Sequence, residues 1–285
     1  MRTLIPEHLN GKALFEFLTQ NKASLINEKK SMLKRTEPVF HTPFINHFKQ
    51  SANKADQADT NVEGEAGSGN GTMIPDSNVV KVKVVANTCN WCDSQMDVLI
   101  ADCWKKSIRE RKNMIPHLHD HNHTIESKVG EVTAIYSQEM LLTDLGLNLS
   151  GSAQALIFET DVMKSYNEKI FNQYKAGKIN QHSIGLQYVK IEMAINDSDY
   201  EKEMDFWNKY YPLVINKDAV DARGYFWVVT EIKLLENSCV LFGSNEITPT
   251  LEVKQSAQGT ETPPIETTAK FDLLEAIQKT QFIKI

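Results

Sequence analysis

Apolar and polar positions along this chain fall into stretches with different periods. Leu14, Leu18, Leu25 and Met32 recur at four- and seven-residue spacings, a narrow apolar stripe that predicts a helix. Lys29, Lys30, Lys34 and Arg35 follow near its end, where cations complement the helix dipole, and Pro38 closes it. From about residue 79 the pattern shortens to strand-like runs. VVKVKVV (79–85) alternates as a half-buried strand does, and EVTAIYS (131–137) and AQALIFE (153–159) add two more. HSIGLQYVKIEMAI (182–195) and GYFWVVTEIKLL (224–235) are longer strand candidates. Between them, DVMKSYNEKIFNQYKAG (161–177) places Val162, Tyr166, Ile170 and Tyr174 four residues apart, which predicts a helix stopped by Gly177. Many strands with few helices argue for a barrel or sandwich with helices packed on it.

Two stretches carry no such pattern. Residues 51–78 hold few large apolar side chains and are rich in Gly, Ser, Asn and Ala. They cannot bury enough surface to offset ordering entropy, which predicts a flexible linker. The segment QSAQGTETPPIETTA (255–269) reads the same way, and KFDLLEAIQKTQF (270–282) predicts a short closing helix. The expected organisation is a helical arm (1–50), an acidic linker (51–78), one folded block (79–254) and a tail (255–285). The arm has two readings, a helix docked on its own domain or a detachable arm that binds a partner.

Charge sharpens this division. Residues 1–50 carry eight Lys/Arg against four acids, whereas 51–78 carry Lys54 against five acids. The overall charge of −6 argues against a general affinity for nucleic acid. No apolar run approaches the roughly 20 residues that span a bilayer, and Glu7, Lys12 and Glu16 interrupt what could have been a signal peptide. A cytosolic protein is expected. Cys89 and Cys92 form one CxxC without a second, so with Cys103 and Cys239 they cannot complete a zinc ribbon and read as structural or incidental.

Three segments carry candidate chemistry. In MIPHLHDHNHT (114–124) His117, His119, His121 and His123 alternate, so an extended backbone would turn all four to one face. They could supply a general base, bind a metal, or be solvated loop residues. In INQHSIGLQ (179–187) Ser183 follows the helix stop, and Gln181 in place of a glycine excludes the GxSxG elbow. His182 and Ser183 are neighbours on a strand and point to opposite faces, so a base for Ser183 must come from elsewhere. In EIKLLENSCVLFGSNE (231–246) Glu236 falls on the apolar parity of Phe226, Val228, Ile232 and Leu234. A carboxylate there is costly to bury unless paired, and a histidine needing orientation is one such partner. A strand-end Glu turned to solvent is the alternative.

Taken in order, these segments resemble the prohead proteases of tailed bacteriophages, a family related to the herpesvirus assemblins. The resemblance covers roughly residues 79–254. It rests on ANTCNWCDSQMDVLIADCWKKSI (86–108), IPHLHDHNHTIESKVGEV (115–132), GKINQHSIGLQY (177–188) and EIKLLENSCV (231–240). The chain departs from the family pattern where Gly243, Ser244 and Asn245 replace the usual Pro-Ala-Asn. The resemblance implies an α+β fold, a small, mostly antiparallel β-barrel flanked by helices. It makes Ser183 the nucleophile, His121 the general base with His119 and His123 as alternative registers, and Glu236 the acid that orients the base.

The implied function is a serine endopeptidase that cleaves capsid and scaffold proteins, and itself, inside the assembling prohead in the host cytoplasm. No cofactor or metal is implied, nor a membrane or specific nucleic acid. The implied partners are the major capsid protein and scaffold, with self-association of the enzyme. Two other readings stay open: a metal-dependent hydrolase built on the 117–123 histidines, assisted by Asp120 or Cys89 and Cys92, and a non-catalytic scaffold or capsid component.

Overall fold

The computed structural model describes residues 5, 6, 8–31 and 78–255. The expected linker, save residue 78, the tail beyond 255, and Met32, Lys34, Arg35 and Pro38 lie outside the described residues. Within them, helix α1 spans Gly11–Ser31. The strands are β1 (Val79–Thr88), β2 (Asp97–Leu99), β3 (His117–His119), β4 (Lys128–Leu141), β5 (Ser152–Met163), β6 (His182–Ile195), β7 (Tyr225–Cys239) and β8 (Thr250–Gln255). Short helices α2 (Lys105–Arg111), α3 (Glu168–Lys175), α4 (Glu201–Tyr210) and α5 (Lys217–Arg223) fill the connections.

The eight strands make one mixed sheet in the order β2-β7-β3-β4-β5-β1-β8, with β6 along the other side of β7. All pairings are antiparallel except β2 and β3, which run parallel to β7. The sheet is not closed into a barrel. Among the described residues β6 pairs only with β7 at one end, and β8 pairs only with β1 at the other. The loop before β8 lies beside the start of β6 through single bonds, such as His182 N–H to Thr248 Oγ1 at 3.1 Å, and not through a ladder.

Helix α1 belongs to the same core as the sheet. Leu14, Leu18 and Leu25 are buried in one cluster with Val82, Met193, Trp227 and Val229. Its last turn is tied down by charge. Lys29 Nζ lies 2.6 Å from Asp97 Oδ1, whose side chain has no exposure, and Tyr188 donates to the other oxygen. The ammonium also sits 5.2 Å from the ring centres of Tyr188 and Trp227, a cation–π arrangement.

The helix expected over 161–177 divides in two. Residues 161–163 continue β5 as partners of Lys81, Val80 and Val79, and the helix begins only at Glu168. Asn167 caps it by accepting from Ile170 N–H at 3.1 Å, satisfying one of the donors a helix start leaves open. The expected stop holds. Gly177 adopts φ 64 and its N–H bonds Tyr174 O, a left-handed end that favours glycine.

Candidate functional site

Strands β6 and β7 carry the serine and the carboxylate, and their register decides which side chains share a face. Directly opposed residues in an antiparallel pair lie on the same face. Ser183 opposes Ser238 and Gly185 opposes Glu236, while His182 opposes Cys239 and Ile184 opposes Asn237. Ile184 and Cys239 belong to the main core, so Ser183, Ser238 and Glu236 occupy the other face.

This placement of Glu236 differs from the simple parity of the sequence for two reasons. Between Val189–Lys190 and Thr230–Glu231 the ladder is irregular in both strands. Tyr225, Trp227 and Val229 therefore pack in the main core with Ile232 and Leu234, whereas Phe226 and Val228 join a separate cluster with Trp207 and Val220. A bulge then follows. Leu186 opposes Leu234 but Gly185 opposes Glu236, so Leu235 is extra. One added residue turns Glu236 away from Leu234 and onto the face of Ser183.

The histidines are likewise not an alternating set on one face. Only 117–119 are extended; Asp120 and His121 both take left-handed conformations, φ 51 and 53. Single non-glycine residues rarely adopt that region, and here Asp120 N–H to Cys239 O (3.0 Å) and Asn122 N–H to His119 O (3.1 Å) brace the turn. The turn aims His121 at the carboxylate, with Nδ1 2.6 Å from Glu236 Oε1. Both are enclosed, His121 retaining 5% and Glu236 1% of their exposure, which removes the reading of Glu236 as a solvated strand end. A carboxylate only accepts hydrogen bonds, so Nδ1 carries a proton, which leaves Nε2 as the nitrogen that can take part in proton transfer. Ser238 Oγ donates to the other carboxylate oxygen at 2.7 Å. Gly185 supplies the room, since a β-carbon there would lie 2.2 Å from Glu236 Oε1.

His119 and His123 stand further out. His119 Nδ1 is 3.3 Å from exposed Asp120, and His123 Nε2 is 4.0 Å from Glu236 Oε1. His117 is fully buried elsewhere, in a chain that the sequence did not announce. Its Nδ1 is 3.0 Å from Thr160 Oγ1 and its Nε2 3.2 Å from the Tyr174 hydroxyl, which is 2.9 Å from His182 Nε2. His182 Nδ1 is 3.0 Å from Thr248 O. A carbonyl only accepts, so the protons run one way: His182 Nδ1 donates to Thr248, Tyr174 donates to His182 Nε2, and His117 Nε2 donates to Tyr174. Both rings are neutral. Burial holds His117 well below its usual range and lowers His182 to about 4.

Among the described residues no three His, Cys, Asp or Glu side chains gather as a metal site. Cys89 and Cys92 are buried free thiols. Burial pushes the thiol of Cys89 well above its usual range and that of Cys239 up to about 12, which keeps both from being the thiolate a nucleophile needs. Ser183 is 6% exposed. A histidine and a carboxylate thus meet at one end of the β6–β7 pair, on the strand face that also bears Ser183, with the histidine–carboxylate contact screened from water. Ser238 was not singled out in the sequence, although simple alternation along β7 places it on the face of Glu236, two residues earlier. No helix among the described residues is long and apolar enough to cross a membrane. Comparison with protein-family models, with curated proteins and with solved structures finds no match.

Proposed function

We propose that the protein is a serine endopeptidase acting in the maturation of a phage prohead. The single observation that carries this reading is the buried His121–Glu236 contact at 2.6 Å, formed on the strand face that also bears Ser183. Glu236 holds the Nδ1–H tautomer and favours the imidazolium as it forms. Nε2 of His121 takes the Ser183 hydroxyl proton while Oγ bonds to a peptide carbonyl carbon. It returns that proton to the amine as the C–N bond breaks, and water then hydrolyses the acyl-enzyme by the same route. The substrates are the major capsid protein and the scaffold, inside the prohead in the host cytoplasm, with the enzyme's own chain as a further substrate and with self-association. The barrel that the resemblance to assemblins implies is not formed, since the sheet is open between β6 and β8.

The metal-hydrolase reading loses support from the dispersal of the histidines, with His117 sealed in the core. The test is cleavage of the cognate capsid and scaffold proteins by wild type and Ser183→Ala, with and without chelator. Cleavage by the wild type alone, indifferent to chelator, is expected. Cleavage by both proteins removes Ser183 as nucleophile, and loss with chelator returns the metal reading.

A further inference from the structure

Ser238 takes no part in the proton transfers just described, yet it touches both groups that govern them. It is fully buried and is the cross-strand partner of Ser183. Its hydroxyl donates to Glu236 Oε2 at 2.7 Å and accepts from the His121 backbone N–H at 3.2 Å. One oxygen therefore joins the carboxylate that orients the base to the backbone that carries the base.

Both groups need that anchor. His121 sits in a left-handed conformation that a non-glycine residue does not hold without help. The bonds at Asp120 and Asn122 brace the turn on either side, and Ser238 holds it at His121 itself. Glu236 has two oxygens to satisfy, and a buried carboxylate with one oxygen unbonded is costly. His121 engages Oε1, and Ser238 engages Oε2. Ser238 is a poor candidate for the nucleophile, because its own proton is committed to the carboxylate.

We propose that Ser238 is a positioning residue: its hydroxyl fixes the Glu236 side chain and the left-handed turn at His121 as one unit, and so sets where His121 Nε2 stands relative to Ser183. This inference rests on the serine-endopeptidase reading and adds to it a residue whose role is geometric. It predicts that the hydroxyl matters, and that side-chain volume does not.

The test uses the full chain and three variants, Ser238→Ala, Ser238→Val and Ser238→Thr. The first readout is the rate at which a fluorophosphonate probe modifies Ser183. The second is the slowly exchanging Nδ1–H proton of His121 at low field in the proton NMR spectrum. Valine and threonine share a shape and differ by the hydroxyl. The alanine and valine variants are expected to react about 100-fold more slowly, the scale of loss that follows a displaced catalytic group, and to lose the protected proton. The threonine variant keeps the proton and reacts faster than the valine variant by about tenfold or more. Equal rates for threonine and valine, or a wild-type rate in the alanine variant, overturn the inference. If the wild type itself takes no label at Ser183, the endopeptidase reading fails instead. The proton spectrum then decides the positioning role alone, a protected Nδ1–H in the valine variant counting against it.

Discussion

At Gly185 the close neighbour of an added β-carbon is the flexible end of Glu236, not backbone. Gly185→Ala should therefore leave the sheet intact while displacing the carboxylate from His121. The expected result is a fluorophosphonate rate lower by about 100-fold, with the circular dichroism of the sheet retained and the thermal midpoint lowered because a buried carboxylate loses its partner. A second residue-scale consequence concerns His117 and His182. Both are neutral in the fold and have depressed proton affinity, so the unfolded chain binds their protons first. Their contribution to stability is complete above about pH 6.5 and is lost as pH falls toward about 4, the value for His182. Urea midpoints measured across that interval should decline, and His182→Asn should flatten part of the decline. At this scale the sequence was informative about Glu236, because a carboxylate in an apolar run asks for a partner, and His121 is that partner. It left that partner among three histidines, since the left-handed turn that brings His121 to Glu236 has no glycine to mark it. The His117–Tyr174–His182 chain was illegible, because His117 is remote in sequence and Tyr174 and His182 lie on a helix and a strand that only packing brings together.

At the scale of elements, the joint between α1 and the sheet is the most exposed to test. Asp97 is buried and meets Lys29 and Tyr188, so removing the cation strands a carboxylate away from water. Lys29→Met should cost about 3 kcal/mol of unfolding free energy, read from urea denaturation, because breaking one side of a buried pair leaves the other uncompensated. Asp97→Asn together with Lys29→Met should recover part of that loss. The strands β1, β4, β5, β6 and β7 were legible from alternation and β-branched content, and β6 in full. Helices α4 and α5 were not anticipated; α5 has only seven residues, too few for a period to establish itself. The strand end at 161–163 read as helix because Val162 happens to stand four residues before Tyr166, while its burial comes from pairing with Val80. The parity of β7 failed where the ladder slips and where Leu235 is inserted. Bulges depend on the partner strand and leave no local signature.

For the whole molecule, helix α1, strands β1 and β2 and strands β4 to β8 share one main core, with two smaller clusters, one beside β5 and the 142–147 loop and one between α4, α5 and β7. The arm helix is thus structural up to Ser31. A sheet was legible from the number of strand-like runs; whether it closes depends on the distance between β6 and β8, which no local pattern encodes. The central claim is that this fold brings Ser183 under the control of His121 and Glu236 to make a nucleophile. The most direct measurement is to treat the wild type, Ser183→Ala and His121→Ala with a fluorophosphonate and locate the adduct by intact mass and peptide mapping. The account predicts one adduct on wild type, located on Ser183, none on Ser183→Ala, and a rate lower by at least about 1,000-fold for His121→Ala. A wild type that takes no label, or a label that persists in Ser183→Ala, would contradict it.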